Sequence, residues 1–279
     1  MLRVLVNRFY GGVTQDLQGK FPKADLKALK KLNVRSTDAD RAMQSPASSI
    51  QRIHYSWITP QIQQMPSELQ QATISALDGE QQRGVCKQLR CKAPKQAPAP
   101  PIRRYLLNEL YHRISPQSRL PARYLPHSYL NPLGEYDKAK LLRLVDLLGL
   151  RDLVPSVKQM VRSHNVGAIL NCLNEEERRF FDFYLYRQRD TVNLPPILLK
   201  DWKGDCKSLR QQIHRKGLKR LGKALSGQDE TLIWYILHTL DTGRAAILEK
   251  NREEEPISEV TTELLKQVLG LMNYLDKQQ

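Results

Sequence analysis

Four cysteines and six histidines are the side chains of this chain best suited to hold a metal or to act as nucleophile and base. Their spacing decides which of these they can do. Cys86 and Cys91 are neighbours in CKQLRC, whereas Cys172 and Cys206 stand apart. A zinc site needs a second pair of closely spaced ligands, and none occurs. The spacing predicts reduced thiols, some of them buried. His54, His112, His127, His164, His214 and His238 each stand alone, as packed or solvated imidazoles do. NEEER, residues 174–178, gathers three carboxylates, but a helix start explains them. Asn174 can cap it, Glu177 completes a capping box, and acids suit the positive end of the helix dipole. The chain has no phosphate-binding loop, nucleophile elbow, H-E-x-x-H pair or G-x-G-x-x-G turn. The expectation is a protein that is not an enzyme and uses no cofactor or metal.

The other group that could do chemistry is basic. CKSLRQQIHRKGLKRLGKAL, residues 206–225, holds seven Lys and Arg, and Arg215, Lys216, Lys219, Arg220 and Lys223 lie within nine positions. Leu209 and Ile213 form one apolar stripe, and Leu218, Leu221 and Leu225 form another, rotated from it. The change of phase falls at Gly217, a residue that weakens helix interiors, so two short helices meeting there are predicted. Lys219, Arg220 and Lys223 would then face water. Nucleic-acid readers usually add stacking aromatics to such charge, yet no Phe, Trp or Tyr lies between Lys203 and Ile233. A solvated face, a site for an acidic protein and a nucleic-acid surface all remain open readings.

The elements that must position these groups are helical. Few glycines and aromatics, with much Leu, Gln, Lys and Arg, favour helix over sheet. From Ile50 onward apolar residues recur at three and four: Ile50, Ile53 and Trp57, then Leu69, Thr73 and Leu77, then Val85 and Leu89. Pro66 suits a helix start, and Asp78 with Gln81 reads as a second capping box. The prolines of KAPKQAPAPP favour an extended linker. Beyond it, Leu106, Leu110, Tyr111 and Ile114 form one stripe, and Leu141, Leu144, Val145 and Leu148 another, with Gly149 placed for a left-handed helix end. The predicted fold is all-α. Residues 1–44 form a weakly ordered basic segment, 45–91 a small trihelical domain, 92–101 the linker and 102–279 a larger helical domain.

The net charge of +15 is uneven: residues 1–120 carry 19 Lys and Arg against 8 Asp and Glu. Nucleic acid, an acidic membrane surface or an acidic protein could meet that half. No run of about 18 apolar residues occurs, and the apolar core of MLRVLVNRFY is too short for a secretory signal, so the expected location is the cytosol.

Two stretches carry a family resemblance. IHYSWITPQIQQMPSELQQATISALDGEQQRGVCKQL, residues 53–89, resembles the helical units of flagellar motor switch proteins and of related type III secretion adaptors. RKGLKRLGKALSGQDETLIWYILHTLDTGRAAILEK, residues 215–250, resembles the accessory K-class component of the bacterial type III secretion sorting platform. The Glu-His-Pro-Gln box of the motor switch proteins is absent, so no stator-contact residue carries over. The K-class resemblance implies a cytosolic adaptor, without cofactor or catalysis, between the membrane secretion ring and the pods that hold the export ATPase. Its expected partners are the ring and sorting-platform proteins. Trp57 and Trp234 are the expected aromatic contacts, and Arg215, Lys216, Lys219, Arg220 and Lys223 the basic ones. The rival reading is a helical nucleic-acid binder using residues 1–52 and 200–223.

Overall fold

The computed structural model describes residues 49–277, apart from 95, 116–118, 120–124, 160–162, 188–193, 200–201 and 254–258, together with 22, 24 and 27. The expected basic segment 1–44 thus lies almost wholly outside the described residues. Among these, all regular structure is helical and no strand occurs, as the apolar periodicity predicts.

Three short helices come first: α1 (Tyr55–Gln63), α2 (Ser67–Ala76) and α3 (Gly79–Leu89). The described residues that follow have no regular structure, and α4 (Pro100–Ile114) then takes in Pro100 and Pro101 of the expected linker, in a first turn where their missing N–H groups cost nothing. The larger domain drawn from sequence assigned α4 to itself. Instead α4 folds back on α1 and α2, and its Leu106, Leu107 and Leu110 share a core with Ile58, Ile62 and Ile74. Arg103 fixes the fold-back: its Nε donates to the Ala76 carbonyl at 2.9 Å, and its guanidinium pairs with Asp78 at 2.7 Å. That pairing overrides the expected capping box. Asp78 sits at the N-cap position of α3 but makes no side-chain cap bond, and the Gln81 amide donates instead to the Ile50 and Ile53 carbonyls.

The larger layer follows a 3-10 turn at Asn131–Glu135. It comprises α5 (Lys138–Leu150), α6 (Leu153–Lys158), α7 (Ser163–Cys172), α8 (Glu175–Arg187), α9 (Cys206–Ala224), α10 (Glu230–Thr239), α11 (Thr242–Lys250) and α12 (Glu259–Asp276). At its centre runs α9, packed against α5, α7, α11 and α12. Leu141, Leu144, Val145 and Leu148 on α5 are all fully buried, each contributing about 1.5–3 kcal/mol. The Asn174 box forms as read, with the Asn174 N–H donating to Glu177 at 2.7 Å and the Glu177 N–H to Asn174 at 2.8 Å.

Three expectations are corrected here. First, Cys206–Ala224 is one continuous helix, not two meeting at Gly217. Second, α5 runs past Gly149 to Leu150, and the following Arg151 keeps right-handed backbone. Both glycines serve a helix crossing: a Cβ on Gly149 would overlap the Ile213 carbonyl, and one on Gly217 would overlap that of Val145. Their missing side chains let two backbones touch, as small residues do at close crossings. The loss of helix propensity is offset by tertiary packing. Third, Cys172 and Cys206 are not free thiols but a disulfide, tying the end of α7 to the start of α9. Cys86 and Cys91 are free.

Candidate functional site

The basic residues of α9 diverge in role. Arg220 does not face water as expected: it is 2% exposed, held by Asp152 at 2.6 Å and by the Gln267 side-chain Oε1 at 2.7 Å. The contact joins three elements, because Asp152 precedes α6 and Gln267 lies on α12. A guanidinium with its fork filled tolerates burial that a lone cation does not. Lys216 donates its ammonium to the Pro195 carbonyl, and burial lowers its pKa. Lys223 pairs with Glu253 at 3.5 Å. Lys219 is half-buried and Arg215 exposed. Arg215, Lys216 and Lys219 have no described ion pair, but the Lys216 ammonium is held by the Pro195 carbonyl, so of this set only Arg215 and Lys219 keep a cation without a described polar partner.

Trp57 and Trp234, separated by most of the chain, flank one ring. His238 stacks on Trp57 with centroids 4.3 Å apart and on Trp234 at 4.1 Å. The position of α10 explains this arrangement. Its Leu232 and Ile236 belong to the large core, while Trp234 belongs to the core of α1–α4. Trp57 donates its indole N–H to the Leu240 carbonyl at 2.9 Å, and the His54 N–H donates to the His238 carbonyl at 2.7 Å. Both tryptophans therefore join the two layers inside the chain, and Trp234 is 7% exposed. Burial pushes the His238 imidazole down to about 4, against its hydrogen bond to the Trp234 carbonyl.

A groove of about 770 Å³ opens where α5, α8, α9 and the start of α11 converge. Leu173, Ile213, Leu218 and Ile247 supply its apolar lining, and Lys207, Arg210, Arg215 and Arg244 its cationic groups. Each described carboxylate that lines it is already engaged. Asp146 meets His214 Nδ1 at 2.6 Å, Glu177 pairs with Arg210 at 3.2 Å, and Asp241 pairs with Arg244. Arg244 Nε donates to His214 Nε2 at 2.8 Å. Both ring nitrogens of His214 are thus in contact, Nδ1 with Asp146 and Nε2 with Arg244. Among the described residues the lining holds no Ser, Thr or Cys. Among the described residues no group of three or more His, Cys, Asp and Glu could hold a metal. The arrangement is suited to binding: Lys207 and Arg215 are exposed cations without a described ion pair, beside apolar wall.

Sequence reasoning missed this groove except for Arg215. Its components come from four helices, and the pairings that silence its acids span up to 68 positions. Among the described residues no helix is long and apolar enough to cross a membrane. No protein-family model, no curated protein and no solved structure matches this chain.

Proposed function

We propose that this chain is a non-catalytic adaptor that acts by protein–protein contact, and that the α9 groove receives an acidic amphipathic helix of a partner protein. One observation carries the reading: the described acids of the groove are internally paired, while Lys207 and Arg215 have no ion pair among the described residues and share the groove with an apolar lining. An incoming helix with a Leu-rich face and flanking Glu or Asp would satisfy both features. The resemblance of residues 53–89 and 215–250 to secretion adaptors supplies the partner class. These are the ring and sorting-platform components of a bacterial type III secretion system, met at the cytoplasmic face of the membrane. The Cys172–Cys206 disulfide pulls the other way, since such bonds persist mainly in oxidising compartments. Its state in cells is therefore informative about location.

The test is co-purification of the tagged chain with ring and pod components at moderate salt after nuclease treatment. Lys207→Glu with Arg215→Glu should release the partner, while the surface change Lys158→Glu should not. Retention of every partner by the double variant would remove the groove from the reading. Loss of all protein partners on nuclease treatment, with steeply salt-dependent RNA binding by the pure chain, would replace the adaptor with a nucleic-acid binder.

A further inference from the structure

The two free cysteines lie at the end of α3, where the chain enters the proline-rich linker. Arg90 closes that helix in left-handed backbone, φ 54° and ψ 36°. The Cys91 N–H then donates back to the Cys86 carbonyl at 3.1 Å. This is the six-to-one bond of a Schellman ending, which brings the side chains of its first and last residues into contact. Here those side chains are two thiols, and burial, followed by the neighbouring Cys91, raises the Cys86 pKa. Cys86 is buried in the core of α1–α4, and Cys91 is half-exposed.

We infer that Cys86 and Cys91 form a redox-active dithiol, a modification site that small-molecule disulfides convert to an intrachain disulfide at the root of the linker. The geometry orders the steps. The accessible Cys91 loses its proton to solvent and attacks one sulfur of glutathione disulfide, forming a mixed disulfide and expelling one glutathione thiolate. Cys86 then loses its proton and attacks the Cys91 sulfur, closing the protein disulfide and expelling the second glutathione. Two electrons pass from the dithiol to the oxidant, and both thiol protons end on the two glutathiones or in solvent. Burial pushes the Cys86 thiol up to about 11, so little of it is thiolate near neutrality. Closure therefore waits on that deprotonation, and it should quicken about tenfold per pH unit on the acid side of that value.

The full chain, with Cys172–Cys206 intact, is incubated in glutathione buffers of rising oxidised fraction, alkylated in acid and digested with trypsin. Cleavage after Lys87 and Arg90 separates the two thiols. A closed bond therefore appears as the Gly84–Lys87 peptide joined to Cys91–Lys92, two hydrogens lighter than their sum. The expected result is this joined species in the wild type, preceded by a Cys91–glutathione adduct. Cys91→Ser, a change at a half-exposed position, should leave Cys86 unmodified and free. A wild-type adduct at Cys91 that never closes would overturn the proposal. So would two thiols that stay free in excess oxidant, or a Cys86 that reacts equally well in the Cys91→Ser variant.

Discussion

Gly149 on α5 and Gly217 on α9 face each other at a crossing where the peptide backbones themselves are in contact. A Cβ on either residue would overlap a carbonyl of the opposite helix, and the Gly217 nitrogen also borders the space above Gly149. The two longest-packed helices of the large layer are held at this distance by what both residues lack. Gly217→Ala should therefore destabilise the chain although alanine favours helix by about 1 kcal/mol. Overpacking costs roughly 1–3 kcal/mol or more when backbone must move. Urea midpoints of Gly217→Ala and of Gly167→Ala, where a Cβ meets open space, provide the comparison. A stabilised Gly217→Ala would show that the helices separate freely.

Arg220→Met should cost about 3–5 kcal/mol, because it leaves the Asp152 carboxylate buried without its cation. Adding Asp152→Leu should recover part of that loss. Arg215→Met, at an exposed position, should change stability by less than about 0.5 kcal/mol. Denaturant unfolding of the set decides it. Equal losses at positions 215 and 220 would mean that the buried pair is not a stabilising contact.

These two cases also mark how much the sequence discloses. The stripe on α5 was readable because Leu141, Leu144, Val145 and Leu148 repeat with the helix period and need no knowledge of their partner. The Asn174–Glu177 box was readable because both members lie within one turn. Gly149 and Gly217 were not, since a glycine that ends a helix and one that admits another helix look alike until the second helix is present. Arg220 sits among lysines and arginines, and nothing local distinguishes it from them. Its partner is 68 positions away. For the candidate site, Arg215 alone was legible, because a groove built from four helices has no spacing of its own.

His238 predicts an acid sensitivity. In the unfolded chain a histidine titrates near about 6.5, while burial holds the folded one at about 4. Above the unfolded value both forms are neutral and the full stability is present. As pH falls from there toward 4, the unfolded chain takes up a proton that the folded chain refuses, and stability drops by up to about 3 kcal/mol. His54, also lowered chiefly by burial, contributes in the same direction. His238→Phe keeps a ring between Trp57 and Trp234 and removes the titration. Its urea midpoint should fall less between pH 7 and pH 4.5 than that of the wild type. An unchanged drop would assign the acid sensitivity to other groups.

Trp57→Ala should loosen the small layer from the large one, since it removes a stack on His238 and an indole hydrogen bond to Leu240. Hydrogen exchange should rise across the contact, at the His54 amide that bonds His238, well before it rises in α5. If protection fell equally in both places, the layers would unfold as one unit and the aromatic stack would have no separate role.

The Cys172–Cys206 bond has a consequence for a protein that is pulled. Its two Cα atoms are 5.0 Å apart, yet 34 positions separate them along the chain. Stretched fully, that length of chain would reach roughly 110 Å. With the bond intact, tension between the termini bypasses α8 and the segment leading into α9, and this slack is never released. With the bond reduced, the same tension can draw it out. The chain would thus have a short and a long reach under tension, set by one covalent link.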